Sequence, residues 1–338
     1  MAIRLREADL LADGDALIEL ARVNLGQTDA QRFQWLYRDN PFGPARAWIA
    51  FNGTEAPIGM CALFPRRAYV AGTEVLGCVL GDFCVSEGYR SLGPAIQLQR
   101  ACLASIESGQ FAFGYDFPSR SMLGIYRFLG ITPTQSSLRM AKLLRTEEKI
   151  RAVTRVPTLS QIISKPLDLA LTIKDRRTST AEGLDCRIED EPCFFAYADL
   201  AKQINSSRGN CTVRSPEYLN WRYRRHPFVK YEFFASYRDG NLLGYCIFCL
   251  AEGRATIVDV FGSMDEPDLI AMLSCLVSLL RSRKVSVVSM EILDNDPRMT
   301  TFHSLGFRNR GTGPVINCHA KVGAGSTQLL LMHGDRES

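Results

Sequence analysis

The residues best placed to do chemistry form one run, Val85-Ser86-Glu87-Gly88-Tyr89-Arg90-Ser91-Leu92-Gly93-Pro94-Ala95. A strand-like stretch, Val75 to Val85, leads into it, and a helix-forming stretch, Ala95 to Ile106, leads out. Such a junction aims free main-chain N–H groups and the positive end of a helix dipole at one point, which suits a phosphate. Gly93 removes a Cβ from the path of an approaching ligand. Pro94 has no N–H, but in a first helical turn that donor would have no partner.

The elements around this loop occur twice. Trp35-Leu36-Tyr37-Arg38-Asp39-Asn40-Pro41-Phe42 returns as Trp221-Arg222-Tyr223-Arg224-Arg225-His226-Pro227-Phe228, a shared W-x-Y-R-x-x-P-F. Each copy closes a helix with a start signal: Thr28 with Gln31 as a capping box, and Ser215 followed by Pro216. A strand follows each proline, Ala45 to Phe51 and Tyr231 to Tyr237, then a hairpin pair, Asn52-Gly53 and Asp239-Gly240. Further strands carry Leu80-Gly81-Asp82-Phe83 and Ile257-Val258-Asp259-Val260, and late helices end in Leu129-Gly130 and Leu305-Gly306. The order per copy is strand, two helices, three strands, helix, strand, helix, strand. This predicts an α/β (α+β) fold of two tandem units, each a mixed, mostly antiparallel twisted sheet flanked by helices. The expected division is 1–145, a connection at 146–183 with a short helix, and 184–338.

The chain has 338 residues, enough for two domains, with 46% hydrophobic and 22% charged residues. A net charge of +4 is too small to argue for nucleic acid as a partner. The 11 cysteines are scattered through apolar segments and read as small buried hydrophobes of a reducing compartment. Cys246 and Cys249 form a C-x-x-C inside an apolar run. The four histidines (His226, His303, His319, His333) show no ligand spacing, so no metal is expected. The charged N-terminal stretch does not read as a signal peptide, and Leu159 to Ile173 is too short and polar to span a bilayer. A cytoplasmic protein without membrane insertion is the expectation.

The Arg90-x-x-Gly93-x-Ala95 loop and the element order together resemble the GNAT (GCN5-related N-acetyltransferase) superfamily, whose acyl-CoA pyrophosphate loop reads Gln/Arg-x-x-Gly-x-Gly/Ala. The resemblance covers most of the chain. It implies acetyl-CoA or another acyl-CoA as co-substrate, bound by Cys84, Val85, Arg90, Ser91, Leu92, Gly93, Pro94 and Ala95. An amine would attack the thioester directly, with a backbone N–H near Cys84 or Val85 polarising the carbonyl, worth about 3 kcal/mol. It also implies a tyrosine, Tyr126, four residues before Gly130, to protonate the leaving thiolate; the second copy has Phe302. Tyr126 could equally be a packing aromatic. Asp82 is the favoured general base, although Asp259 at the matching place suggests a structural carboxylate. Asp116, in Gly114-Tyr115-Asp116-Phe117-Pro118-Ser119, is the other candidate, or a helix cap, a task Ser119 can also do.

The second copy offers Gly262-Ser263-Met264-Asp265-Glu266-Pro267-Asp268 where the first has its loop. Carboxylates there would repel a diphosphate by on the order of a kcal/mol per close pair, so a single acyl-CoA site in the first copy is expected. The acceptor is a small molecule bearing a primary amine. The phrasing W-L-Y-R-x-N-P, Leu63-Phe64-Pro65-Arg66-Arg67 and the loop resemble GNAT proteins of bacterial surface-glycan biosynthesis, which points to a nucleotide-linked amino sugar. Arg222, Arg224, Arg225, His226 and Lys230 could meet its anionic part, or form a solvated helix face. Competing readings are a non-catalytic acyl-CoA-binding sensor or scaffold, and a FemAB-like aminoacyl-tRNA-dependent transferase. No sustained heptads for a coiled-coil arm are present.

Overall fold

The computed structural model describes residues 3–26, 29–53, 56–154, 157–176, 183–205, 210–262, 266–319 and 329–337. The first half runs β1 (Arg4–Glu7), α1 (Gly14–Leu25), α2 (Ala30–Phe33, continued by a π-helical turn Gln34–Arg38), β2 (Arg46–Phe51), β3 (Pro57–Val70), β4 (Thr73–Val85), α3 (Leu92–Glu107), β5 (Phe113–Asp116), α4 (Arg120–Phe128) and β6 (Gln135–Leu143). Two helices connect the halves, α5 (Glu147–Thr154) and α6 (Pro157–Arg176). The second half runs β7 (Asp185–Glu189), α7 (Phe195–Asn205), β8 (Cys211–Thr212), α8 (Pro216–Leu219, continued by a π-helical turn Asn220–Arg224), β9 (Tyr231–Arg238), β10 (Asn241–Ala251), β11 (Arg254–Gly262), α9 (Glu266–Ser282), β12 (Val287–Leu293), α10 (Met299–Ser304) and β13 (Arg308–His319). The expected order therefore recurs in both halves, with the short β8 added. The connection is more helical than expected: the charged stretch after Arg145 is α5, and α6 continues through Pro166.

Local signals explain most boundaries. Ser215 caps α8 by accepting from the N–H of Tyr218, with Pro216 in the first turn. In the first half the cap is Asp29, whose side chain accepts from the N–H of Gln31; Thr28, expected as that cap, lies outside the described residues. Asp239 (φ 51°) and Gly240 (φ 79°) form the expected two-residue turn between β9 and β10. The first-half turn at Asn52-Gly53 is longer, reaching Ala56, and its residues 54–55 lie outside the described set.

All strands among the described residues belong to one thirteen-stranded sheet, in which twelve follow one path and β8 pairs with β3 beside it. Its order, β1-β2-β3-β4-β5-β13-β6-β12-β11-β10-β9-β7, shows that the halves exchange their closing strands. β13 pairs with β5 of the first half, β6 pairs with β12 of the second, and the two exchanged strands pair with each other, all antiparallel. A division at 145 thus follows the chain but not the sheet.

Helices α1, α2, α7 and α8 meet over one shared core. There Trp35 and Trp221 stack with ring centroids 5.1 Å apart. Each indole N–H donates to the other tryptophan's main-chain carbonyl, both at 2.9 Å. Arg222 lies over the Trp35 ring and Arg66 over the Trp221 ring, each at 5.4 Å. The repeated tyrosines hold the repeated aspartates: Tyr37 donates to Asp82 at 2.8 Å, and Tyr223 to Asp259 at 3.3 Å. Strand β2 alternates between two cores. Ala47, Ile49 and Phe51 face the shared one, and Trp48 and Ala50 face α3.

Because each indole satisfies a buried carbonyl of the other half, replacing Trp35 with Phe should destabilise the protein by about 2 kcal/mol. Adding Trp221→Phe should cost less than the sum of the two single changes, by about 1 kcal/mol in a double-mutant cycle read from denaturant unfolding.

Candidate active site

β4 and β5 are parallel neighbours only at Cys78–Gly114 and Val79–Tyr115; beyond that they part. A bulge between β3 and β4 helps to open the gap, since Met60 faces Cys84 while Ala62 faces Gly81. Asp82 occupies the bulge with φ 44°. Two connected spaces fill the opening. An open cleft of about 620 Å³ is lined by Cys84, Val85, Arg90, Ser91, Leu92 and Ala95, with Ser121 and Met122 of α4 opposite. A smaller cavity of about 220 Å³ shares Leu25, Phe83, Ser119 and Met122 with it and runs deeper to Asp82, Asp116 and Glu337.

The loop expected to take a diphosphate lines this cleft. Ser91 precedes α3 in extended conformation, and its side chain makes no cap, so the first-turn amides face the cleft without that acceptor. A Cβ built at Gly93 would meet nothing nearer than Ile3 Cδ1 at 4.0 Å. The protein's own packing therefore does not demand glycine there, whereas a ligand against the main chain would. Pro94 is buried in the same turn. Arg90 is exposed and donates from Nε to the Val85 carbonyl at 3.2 Å, at the cleft edge.

In the deeper cavity the two candidate carboxylates differ. Asp82 is fully engaged: Arg32 donates to both of its oxygens at 2.7 and 2.9 Å, and Tyr37 donates as well. Asp259 has the same partners in kind, Arg214 at 2.6 Å and Tyr223. The match supports the structural reading of Asp82. Asp116, at the end of β5, accepts from Tyr126 Oη at 2.7 Å. Burial pushes its carboxyl up to about 7, opposed by the Tyr126 hydrogen bond and reinforced by the charge of Glu337. Asp116 does not cap α4; Ser119 does, accepting from the N–H of Met122.

Tyr126 is completely buried and lines neither space. Besides donating to Asp116 it accepts from Gln99 Nε2 at 3.0 Å. This chain holds Asp116 in place from behind. Among the thiols, burial holds Cys84 up at about 12 and Cys102 well above its ordinary value, so neither is a ready nucleophile at neutral pH. Among the described residues, no group of three or more His, Cys, Asp or Glu could hold a metal.

Among the described residues, the corresponding place in the second half holds a space of about 10 Å³. The loop residues 263–265 lie outside the described set, but two other features fill the gap. Arg298, just before α10, is clasped by Asp296 and donates to the Val260 carbonyl on β11 at 2.7 Å. Met332 Sδ accepts from the N–H of Val260 at 3.2 Å, and Met332 bridges to Ile292 on β12. Sequence reasoning missed both, and it missed Glu337. The basic group is largely committed elsewhere: Arg222 donates to the carbonyls of Gly334 and Arg336, and Arg224 to that of Glu189, with its guanidinium 3.9 Å from the Phe233 ring centroid. Arg225 and Lys230 are exposed.

The fold is shared with solved structures of distant sequence. It is similar to a conserved protein of unknown function from Enterococcus faecalis V583, a probable N-acyltransferase (TM-score 0.65, 13% identity, 94% of this chain and 72% of that one). It is also similar to GCN5-related N-acetyltransferases from Anabaena variabilis ATCC 29413 (TM-score 0.66, 12% identity, 94% and 72%) and Kribbella flavida (0.61, 14%, 94% and 71%). No family model matches the sequence, and no curated protein matches it, so the likeness is one of fold.

Gly93→Glu should leave thermal stability unchanged, since the space is open, and should weaken coenzyme A binding at least tenfold in calorimetry by placing a carboxylate against the diphosphate.

Proposed function

We propose that this chain is an acyl-CoA-dependent N-acyltransferase with one working site, in its first half, that passes an acyl group, acetyl in the simplest case, to a primary amine of a small acceptor. The observation that carries this reading is the parting of β4 and β5 around a cleft that joins an uncapped helix start to a carboxylate with a pKa of about 7. The diphosphate docks on the α3 amides, and the pantetheine arm runs along β4 toward Asp116. Holding both substrates in the connected spaces supplies much of the rate. Asp116 takes the proton of the attacking amine. Tyr126 and Gln99 hold that carboxylate, and Tyr126 acts through it rather than on the departing sulfur.

The nucleotide-linked amino sugar suggested by the sequence phrasing would need a basic wall for its phosphates. With Arg222 and Arg224 turned inward, only Arg225 and Lys230 of the suggested group are exposed, so the proposal stays at the level of a small amine. A sensor or scaffold would have no need for a buried carboxylate poised at neutral pH beside the cleft.

The test is release of free thiol from acetyl-CoA with a panel of amines. Activity should rise with pH along a limb centred near 7, as Asp116 ionises. Asp116→Asn should remove this limb and lower turnover by about 100-fold or more while coenzyme binding persists. The same change should raise stability at neutral and higher pH. A carboxyl whose folded pKa lies above its unfolded value of about 4 costs stability increasingly as pH climbs from about 4 through about 7. Thiol release that is independent of every amine, or unaltered in Asp116→Asn, would remove the proposal.

A further inference from the structure

Resting on the acyl-transfer reading, we propose that Glu337 receives the acceptor's ammonium group, so that the site selects small amines that arrive positively charged and carry no anion beside the reacting nitrogen. Glu337 comes from the far end of the chain. The segment before it is fastened across both halves. Tyr115 Oη donates to the Asp335 carbonyl at 2.8 Å, and Arg214 pairs with the Asp335 carboxylate at 2.9 Å. Arg222 donates to the carbonyls of Gly334 and Arg336 at 3.0 and 2.8 Å. Arg336 pairs with Glu291 at 2.5 Å and stacks on Phe117, a wall of the cavity, at 4.1 Å. The last step of this segment delivers the Glu337 side chain into the cavity that holds Asp116.

The opposite wall is cut to admit it. A Cβ at Gly81 would lie 2.6 Å from Glu337 Cγ, so the strand carries glycine where that side chain lies. Among the described residues, no lysine, arginine or histidine lines the cavity. The charges facing Glu337 are Asp82 from β4, Asp116 from β5, Arg32 from α2, Arg336 of its own segment and Arg222 from the turn after α8. The three arginines are held elsewhere, Arg336 by Glu291, Arg222 by main-chain carbonyls and Arg32 by Asp82. Burial and the neighbouring carboxylate raise the Glu337 pKa, as befits a site completed by an incoming cation.

Two protons leave the nitrogen, and the cavity offers two carboxylates, Asp116 and Glu337, to take them. An acceptor entering as R–NH3⁺ loses two protons on its way to the amide. The first passes to Asp116, freeing the lone pair that forms the N–C bond at the thioester carbonyl. The second leaves nitrogen for Glu337 as the tetrahedral species collapses and the C–S bond breaks. The thiolate takes a proton back from Asp116, and Glu337 gives the other to water. The sum is ammonium plus thioester to amide, free thiol and one proton.

The test is a titration, followed by ligand-observed NMR, of the full protein saturated with coenzyme A. The probes are n-butylamine, protonated at neutral pH, and 2,2,2-trifluoroethylamine, largely uncharged there. Glu337→Gln should weaken n-butylamine about tenfold or more and leave trifluoroethylamine and coenzyme A unchanged. Glu337→Asp should recover part of the loss. The glutamine variant should melt no lower than the parent, because it removes a carboxylate that faces Asp82. Equal n-butylamine binding by parent and variant, no n-butylamine binding by the parent, or a melting loss that accompanies equal weakening of both amines would each overturn the proposal. Failure of the parent to take up coenzyme A would instead strike the acyl-transfer reading on which it rests.

Discussion

Two indole rings, each donating its N–H to the other's main chain, fix how the halves of this protein meet. The contact is reciprocal, so neither half can shift without breaking a buried hydrogen bond on both sides. Each tryptophan sits in a π-helical turn with a tyrosine two residues on, and that tyrosine reaches the aspartate of its own half. The shared core thereby sets the position of β4 and β11, the strands that flank the two potential clefts. Guanidinium groups over the ring faces reinforce a geometry that area burial alone would leave less specific.

From that common frame the halves diverge by what enters between two parallel strands. In the first half β4 and β5 separate and leave two spaces, of about 620 and 220 Å³, into the smaller of which Glu337 reaches. In the second, Arg298 and Met332 satisfy both the carbonyl and the N–H of Val260. Those are main-chain groups that would otherwise have to find a ligand or water. The closing segment that seals the second cleft with Met332 carries Glu337 to the first five residues later. One stretch of chain thus shuts one site and furnishes the other.

How much of this could be read beforehand follows the range of the interactions. The order of elements, the Ser215 cap, the Asp239-Gly240 turn and the strand–loop–helix junction between β4 and α3 are written in adjacent residues, and they are where the sequence placed them. The pairing of Asp82 with Asp259 was visible as a repeat, and the same repeat warned of a structural role. Arg298 gave no such signal, because a lone arginine before a short helix looks like any surface charge until its partners are known. Glu337 and Met332 lie far along the chain from the strands they touch, in a segment with no periodic pattern. The exchange of closing strands was equally hidden: β6 and β13 each fit either half by composition, and only the tertiary pairing decides.

That exchange has a bearing on how the molecule is made. While the ribosome is still producing the second half, β5 has an exposed edge, because its neighbour β13 spans residues 308–319 and has yet to emerge. The early half must wait, with an open strand edge of the kind that invites mispairing, until that strand has been made. The cavity at Asp116 is likewise incomplete until the segment that brings Glu337 has been made.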